Sequence, residues 1–181
     1  TAVKKELLLK NPVTHATTPG SEPKEKEFLD AGQCLELLGF LPEMTNPQLP
    51  RAIELLLYTG LRVGELTALH WGEVDLEKAT VTVKYNLYRL DGEYRLSTPK
   101  TKSSARVVAL PPQAVKLLQG QKEWQDGRRQ EVGDKWIDRG AVFTGQFGEY
   151  MSKNYINLQF KRLLKKHDFP DIHIHDLRHA N

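Results

Sequence analysis

Residues 58–76 read YTGLRVGELTALHWGEVDL, and this stretch predicts a junction between two helices. Glycine can adopt at little cost the left-handed conformation that ends many helices, so one helix is expected to end at Gly60 and a short helix to follow over 63–71. Arg62 then lies at the start of the second helix, and Glu65 follows one turn later on the same side. A guanidinium beside backbone N–H groups suits a phosphate, although a surface Arg–Glu pair is the commoner explanation of this stretch alone.

The segments on either side predict short helices and then a small sheet. FLDAGQCLELLGFL (28–41), capped by Asp30, and PQLPRAIELLLYTG (47–60) have the pattern of two amphipathic helices. After residue 78 the apolar period changes to two. The stretches ATVTVKYNLYRL, EYRLSTPK and ARVVAL therefore predict three antiparallel strands, with a turn at Asp91-Gly92 between the first two.

The second half of the chain returns to helical patterns. Pro111-Pro112 stops the sheet and opens a helix that is expected to run to about Gln125. A short apolar stretch, AVFTG, precedes a basic helix over 152–168, and another helix is expected to start at His175. The fold class predicted is mainly α with a small three-stranded antiparallel β-sheet, that is, α+β.

The first residues have a different character from the rest. TAVKKELLLK has helical apolar spacing and stops at Asn11-Pro12, and PVTHATTPGSEPKEKE contains three prolines, a glycine and no apolar period. We therefore expect residues 1–11 to be the remnant of a preceding helical domain and 12–27 to be a linker. Residues 28–181 would form the main domain, incomplete at its C-terminus.

Composition limits the class of protein. A chain of 181 residues with 39% hydrophobic and 27% charged residues is typical of a globular domain. The single cysteine, Cys34, excludes an intrachain disulfide and fits a reducing compartment. No apolar run approaches the roughly 20 residues that span a bilayer, and no signal peptide opens the chain, so a cytoplasmic protein is expected.

The net charge of +3 is too small to identify a nucleic-acid-binding protein, but the basic residues are unevenly placed. One group lies between positions 84 and 106 and a second from 153 onward: Lys84, Arg89, Arg95, Lys100, Lys102 and Arg106, then Lys153, Lys161, Arg162, Lys165, Lys166 and Arg178. Solvated helix and hairpin surfaces would explain these groups, and so would contact with a polyanion.

The C-terminal stretch HIHDLRHAN is dense in groups that can do chemistry. On a helix, His175, Arg178 and His179 share one face at positions i, i+3 and i+4, while Leu177 turns toward the core. An arginine between two histidines suits an anion, and a solvated polar face is the alternative. His173, His175 and His179 could also hold zinc, but the permanent charge of Arg178 beside a dication argues against it.

Two lysines lie in the connection between the second and third predicted strands. In TPKTKSSARVVALPP, Lys100 and Lys102 would be held at a hairpin tip, from which a side chain can enter a DNA groove. Most lysines at such tips serve solubility, so this signal is weak when it is considered alone.

Taken in this order, YTGLRVGELTALHWGEVDL, PKTKSSARVVALP and HIHDLRHA resemble the catalytic domain of the tyrosine recombinases, the phage and transposon integrase family, from about residue 28 to the end. The resemblance implies site-specific DNA recombination and integration for a mobile element. In it, duplex DNA is cleaved and rejoined through a 3′-phosphotyrosyl intermediate without a metal or other cofactor. It also implies a DNA-induced homo-oligomer, a tetramer, in the bacterial cytoplasm at the nucleoid. Residues 1–11 would then end the DNA core-binding domain.

The resemblance assigns roles by position. Arg62 and Arg178 match the two arginines that grip the scissile phosphate, and His175 matches a hydrogen-bonding or acid–base partner. Glu65 matches an acidic residue that supports the site.

The lysine that protonates the 5′-hydroxyl leaving group matches Lys100, with Lys102 as the alternative. Lys102, Arg106 and His179 are further expected DNA contacts.

The chain departs from the family pattern in its tyrosines. The nucleophile of the family follows the second arginine, whereas all six tyrosines here precede HDLRH: Tyr58, Tyr85, Tyr88, Tyr94, Tyr150 and Tyr155. The chain as given is therefore expected not to cleave DNA. Two rival hypotheses are a non-catalytic DNA-binding module derived from the same fold and a metal-dependent phosphodiesterase built on the histidines.

Overall fold

The computed structural model describes residues 28–98 and 105–180, with the backbone alone for 179 and 180. In this part of the chain the α-helices are α1 (Ala31–Phe40), α2 (Gln48–Thr59), α3 (Val63–Thr67), α4 (Pro112–Val132) and α5 (Lys153–Lys166). The strands are β1 (Val74–Asp75), β2 (Thr80–Val83), β3 (Asn86–Leu90), β4 (Glu93–Ser97) and β5 (Arg106–Ala109). Short 3₁₀ helices occupy Leu41–Glu43, Trp71–Glu73, Gly133–Lys135 and Ile174–Ala180.

The strands form two separate antiparallel sheets. One has the order β1-β2-β5, and the other is a two-stranded ribbon of β3 and β4. Val83 at the end of β2 lies opposite Arg106 at the start of β5. The ribbon therefore leaves the three-stranded sheet after β2, and the chain rejoins it at β5.

The expectation that residues 79–90 form one strand is wrong, because the stretch breaks at residues 84–85 into β2 and β3. The alternation continues across the break, since Val81, Val83 and Leu87 are all buried. Periodicity reports which side of the chain faces the core and not which strand is its partner. The three-stranded sheet is thus completed by the short β1 and not by β4.

The predicted helix ends agree with the structure where local chemistry sets them. Asp30 Oδ1 accepts a hydrogen bond from the Gln33 N–H at 2.8 Å, and Gln33 Oε1 accepts one from the Asp30 N–H at 3.0 Å, which is a complete capping box. Gly60 ends α2 with φ of 60°, and its N–H donates to the Leu56 carbonyl at 3.0 Å. Asp91 and Gly92 both have positive φ, as a tight hairpin turn requires.

Helix α3 ends before the predicted residue 71, because the backbone that follows pairs with a distant segment. The Val142 N–H donates to the Leu69 carbonyl at 2.8 Å, and the Trp71 N–H donates to the Gly140 carbonyl at 2.9 Å. Because the Leu69 carbonyl and the Trp71 N–H are used in these bonds, they are not available for the hydrogen bonds that would continue the helix. The short α3 is therefore held between α2 and the extended segment 140–142.

Helix α4 extends past Gln125, the predicted end, to Val132. Its last turns are mostly exposed and carry ion pairs at helical spacing, Lys122 with Asp126 and Arg128 with Glu131. No helix in the described part of the chain is long and apolar enough to cross a membrane.

The helix expected at His175 is a 3₁₀ helix that begins at Ile174. Ile172, Ile174 and Leu177 are buried and fix the segment in the core, where it packs on α2. In a 3₁₀ helix, residues three apart lie on one side. With Ile174 and Leu177 inward, His175 and Arg178 share the neighbouring side.

A network of buried amides joins α2 and α4 to the segment 141–144. Gln121 Nε2 donates to Gln48 Oε1 and to the Val142 carbonyl, both at 3.0 Å. Gln48 in turn accepts a hydrogen bond from the Thr144 N–H at 3.1 Å and donates one to the Thr144 carbonyl at 2.9 Å. Side-chain amides thus pair with the backbone of an extended segment, as a neighbouring strand would.

Gln121→Leu is expected to lower the free energy of unfolding by about 1–2 kcal/mol, because the hydrogen bonds of Gln121 to Gln48 Oε1 and to the Val142 carbonyl are both lost, while Gln125 Nε2 still donates to that carbonyl at 3.3 Å. Urea denaturation of the chain measures the loss. Gln130→Leu, at an exposed position of the same helix, is the control and should change stability by less than about 0.5 kcal/mol. Equal stability of Gln121→Leu and the parent would contradict a structural role for the amide network.

Candidate active site

Arg62 and Glu65 lie at the start of α3, as the sequence predicts. The Arg62 backbone N–H donates to Glu65 Oε2 at 2.7 Å, and Arg62 Nη1 donates to Glu65 Oε1 at 3.0 Å. The Arg62 side chain is 53% exposed, whereas that of Glu65 is 7% exposed. A buried carboxylate therefore holds an arginine whose guanidinium still reaches the surface.

Arg106 makes a second ion pair with the same carboxylate. Its Nη1 and Nη2 donate to Glu65 Oε1 and Oε2, each at 2.9 Å, so the guanidinium fork is bidentate. Arg106 is the first residue of β5, 41 positions from Glu65. The sheet and α3 thus meet at this carboxylate.

The charges at this junction set the direction of the pKa shifts. Burial by itself raises the pKa of Glu65, but the hydrogen bonds from the Arg106 guanidinium and the Arg62 backbone outweigh it, and the pKa lies below its usual range. The hydrogen bond to Glu65 raises the pKa of Arg106. Glu65 is therefore ionised at neutral pH.

Arg178 joins this group from the C-terminal 3₁₀ helix. Burial lowers the pKa of Arg178, the positive charges of Arg62 and Arg106 lower it further, and the charge of Glu65 acts in the opposite direction. The 3₁₀ helix that carries Arg178 packs on α2, and Arg62 follows the end of α2, so we assign Arg178 to the same region. We call Arg62, Arg106 and Arg178, with Glu65 among them, the arginine cluster.

The arginine cluster has three guanidiniums and one carboxylate, so it carries an excess of positive charge. Such an arrangement attracts an anion, and planar guanidiniums match the oxygens of a phosphate. Charge that develops on those oxygens during a reaction would be stabilised by donors that are already in place. The cluster can therefore bind a phosphate and stabilise a transition state on it.

His175 is exposed and, in the 3₁₀ geometry, lies on the same side as Arg178. The aspartate of HDLRH has a structural role. Asp176 Oδ2 accepts a hydrogen bond from the His173 N–H at 2.8 Å, and the Asp176 N–H donates to the His173 carbonyl at 2.8 Å. Asp176 thereby fixes the start of the helix that carries Arg178.

Several residues predicted for the site lie outside the described residues. These are Lys100, Lys102 and the side chain of His179. Their roles remain predictions, as does the boundary near residue 27. Among the side chains that the structure describes, no three His, Cys, Asp or Glu groups lie close enough to hold a metal ion.

One constellation was missed by sequence reasoning. His70 Nε2 is 3.0 Å from Tyr150 Oη, and His70 Nδ1 is 3.5 Å from Glu73 Oε2. The rings of Tyr85 and Tyr150 contact His70 edge-on, with centroids at 6.2 and 5.8 Å. Because His70 and Tyr150 are 80 positions apart, no local pattern indicated that they meet.

An aromatic cleft of about 600 Å³ is separate from the arginine cluster. Its walls include Tyr94, Trp124, Tyr150 and Tyr155, and it opens beside the residues that begin α2. Arg62 follows the other end of α2, which is about 18 Å long at 1.5 Å per residue. The aromatic cleft is therefore not part of the arginine cluster, whose Arg62 side chain is 53% exposed and accessible from the surface.

The chain belongs to the phage integrase family, whose family model matches residues 27–181. The ICEBs1 integrase of Bacillus subtilis (strain 168) is 29% identical over 183 residues, which cover 100% of this chain and 49% of that protein. A tyrosine recombinase XerC-like protein of Caldanaerobacter subterraneus subsp. tengcongensis is 26% identical over 194 residues, 99% of this chain and 50% of that protein. The chain thus spans about half the length of these relatives.

The fold agrees with a solved relative. The Tn1549 transposon integrase in complex with transposon right end DNA superposes with a TM-score of 0.75 and 27% identity, over 96% of this chain and 58% of that one. The predicted family resemblance is confirmed, and so is the predicted fold class, mainly α with a small three-stranded antiparallel β-sheet, to which the structure adds a separate two-stranded ribbon.

Proposed function

We propose that this chain is the DNA-handling catalytic part of a site-specific recombinase that cleaves and rejoins duplex DNA through a 3′-phosphotyrosyl intermediate. The observation that carries the proposal is the arginine cluster, in which Arg62 and Arg106 both bond the buried Glu65 carboxylate and the 3₁₀ helix that carries Arg178 packs on the neighbouring α2. Membership of the integrase family supports the proposal, and so does the DNA complex of the Tn1549 integrase.

In the proposed reaction, Arg62 and Arg178 bind the non-bridging oxygens of the scissile phosphate. The phosphate becomes pentavalent and gains negative charge in the transition state, where two permanently charged forks stabilise it more than they stabilise the substrate. Burial and, secondarily, the positive charges of Arg62 and Arg106 lower the pKa of Arg178, and a bound anion would stabilise its charged form. His175 hydrogen-bonds the phosphate or acts as the general acid–base group, accepting the proton that the attacking tyrosine loses.

Two further parts of the reaction come from the family pattern. A lysine, Lys100 with Lys102 as the alternative, would protonate the 5′-hydroxyl as it leaves. A tyrosine would attack the phosphate, and none of the six tyrosines of this sequence matches the family position. We expect these 181 residues by themselves to bind DNA and not to form the covalent link.

The partners follow from the same proposal. Duplex DNA at recombination sites is the substrate, and four copies would assemble on paired sites, in the bacterial cytoplasm and at the nucleoid when bound. The proposed chemistry needs no cofactor, because the phosphotyrosyl link conserves the energy of the broken bond.

Arg62→Ala and Arg178→Ala are each expected to weaken binding of this chain to a fluorescent DNA duplex by about tenfold, because each removes a charged contact to phosphate. Titration over a range of KCl concentrations should also show the salt slope falling by about one per arginine. Arg129→Ala is the matched control: Arg129 is 57% exposed and pairs with Asp138 at 3.0 Å, but it lies on α4.

If Arg62→Ala and Arg178→Ala bind DNA as Arg129→Ala does, the phosphate assignment is wrong. If they weaken binding, but a protein that continues past Asn181 never forms a covalent adduct with a nicked suicide duplex, the chain is a non-catalytic DNA-binding module of the same fold. DNA cleavage that leaves no covalent adduct and that a chelator abolishes would favour the metal-dependent phosphodiesterase.

A further inference from the structure

We propose that Arg106 is a positioning residue, which fixes the orientation of Arg62 through Glu65 and does not itself contact DNA. The inference rests on the proposed function, because it concerns how the phosphate-binding arginine is held. It replaces the expectation, drawn from the sequence, that Arg106 is one of the DNA contacts.

The hydrogen bonds at Glu65 carry the inference. Glu65 Oε1 accepts from Arg62 Nη1 at 3.0 Å and from Arg106 Nη1 at 2.9 Å. Glu65 Oε2 accepts from the Arg62 backbone N–H at 2.7 Å and from Arg106 Nη2 at 2.9 Å. A carboxylate offers about four acceptor positions, so Glu65 is fully engaged and each of its oxygens links the two arginines.

The two arginines differ in the secondary structure that holds their backbone and in the exposure of their side chains. Arg106 begins β5 and faces Val83 of β2, which is 3% exposed, so its backbone is part of the sheet and its side chain extends from a fixed base. Arg62 lies at the N-terminal end of a five-residue helix, and its side chain is more exposed than that of Arg106. The rigid side of the junction is therefore Arg106, and the side that can reach a ligand is Arg62.

The charge of Glu65 also favours a positioning role for Arg106 and a ligand-binding role for Arg62. The Arg106 fork points both of its Nη atoms at one carboxylate, and that carboxylate offsets its charge at close range. A lysine in its place would keep the charge but could not occupy both oxygens at once. Glu65 would then be free to rotate, and the bonds that orient Arg62 would weaken.

A double-mutant cycle tests the proposal with the full chain. Arg106→Lys is expected to weaken duplex binding by about tenfold although the charge is kept, and to have no further effect in the Arg62→Ala background, because positioning acts only through Arg62. Arg128→Lys is the control, since Arg128 is as exposed as Arg106 and also pairs with a glutamate at 2.9 Å. It should bind as the parent does.

The proposal would be overturned if the losses of affinity caused by Arg106→Lys and Arg62→Ala were additive. It would also be overturned if Arg106→Lys bound DNA with parental affinity while Arg106→Gln reduced the salt slope by about one. Either result would make Arg106 a direct phosphate contact. If Arg106→Lys does not fold, the Glu65→Gln/Arg106→Gln double variant leaves no buried charge unpaired and is expected to lose the same affinity, again only when Arg62 is present.

A second measurement needs no DNA. The Arg62 backbone N–H donates to Glu65, so its proton chemical shift in NMR spectra reports the orientation of the carboxylate. The shift should move upfield in Arg106→Lys and stay unchanged in Arg128→Lys. An unchanged shift in Arg106→Lys would overturn the positioning role. If Arg62→Ala binds DNA as the parent does, the proposed function fails, and this shift still decides the role of Arg106.

Discussion

Glu65→Gln is expected to lower the free energy of unfolding by about 3 kcal/mol, because it removes the anion from a junction that contains at least two guanidiniums. This value is at the lower end of the roughly 3–5 kcal/mol that is lost when one partner of a buried ion pair is removed. The lower end applies because Arg62 and Arg106 are partly exposed and solvent screens their charges. Urea denaturation at neutral pH measures the change.

Glu93→Gln is the control for this prediction. Glu93 is 76% exposed and pairs loosely with Arg95 at 3.7 Å in the hairpin ribbon, so its loss should cost less than about 0.5 kcal/mol. Equal stabilities for the two variants would mean that the junction at Glu65 does not contribute to folding.

Acidification should reduce the difference between Glu65→Gln and the parent. The pKa of Glu65 is lowered in the folded chain, so its stabilisation is fully present above the unfolded pKa of about 4.3 and is lost as pH falls through the folded pKa. We expect a constant difference in melting temperature from pH 7 to about pH 5 and a shrinking one below that. A difference that grows on acidification would contradict the lowered pKa.

Arg178→Lys is expected to reduce the rate of strand cleavage by about 10²–10³-fold in a recombination-competent protein that includes this chain, while duplex affinity falls by less than about tenfold. Lysine keeps the charge and so retains much of the ground-state attraction. Lysine lacks the pair of guanidinium N–H donors that binds two oxygens of the pentavalent phosphate at once. Accumulation of covalent adduct on a nicked suicide duplex gives the rate.

Arg129→Lys, on the exposed surface of α4, serves as the control for the assay and should cleave at the parental rate. Parental cleavage by Arg178→Lys would show that a point charge suffices at this position. A loss of affinity with a parental rate at saturating DNA would assign Arg178 to substrate binding in place of transition-state stabilisation.

Sequence patterns predicted the features that neighbouring residues determine. The Asp30 cap, the end of α2 at Gly60 and the hairpin turn at Asp91-Gly92 depend on backbone and side-chain groups within a few positions. The pairing of Arg62 with Glu65 is local in the same sense, at a spacing of three residues. These features could therefore be predicted from the amino-acid sequence alone.

The features that sequence reasoning missed depend on distant partners. The bidentate bond of Arg106 spans 41 positions, and the bond from Gln48 to the Thr144 carbonyl spans 96. The division of strands between two sheets depends on which edges meet, and β2 and β3 share one continuous alternation. Family resemblance predicted a set of site residues, which stays a prediction, but it did not predict that Arg106 and Glu65 bond each other.

The arginine cluster also sets an order of events during protein synthesis. Arg62 lies early in the domain and Arg178 on its last described helix, which is fixed to α2 by Ile172, Ile174 and Leu177. Because a chain leaves the ribosome from its N-terminus, the first arginine is exposed to the cell long before the second exists. A nascent chain from which Arg178 has not yet emerged thus cannot hold an anion between Arg62 and Arg178.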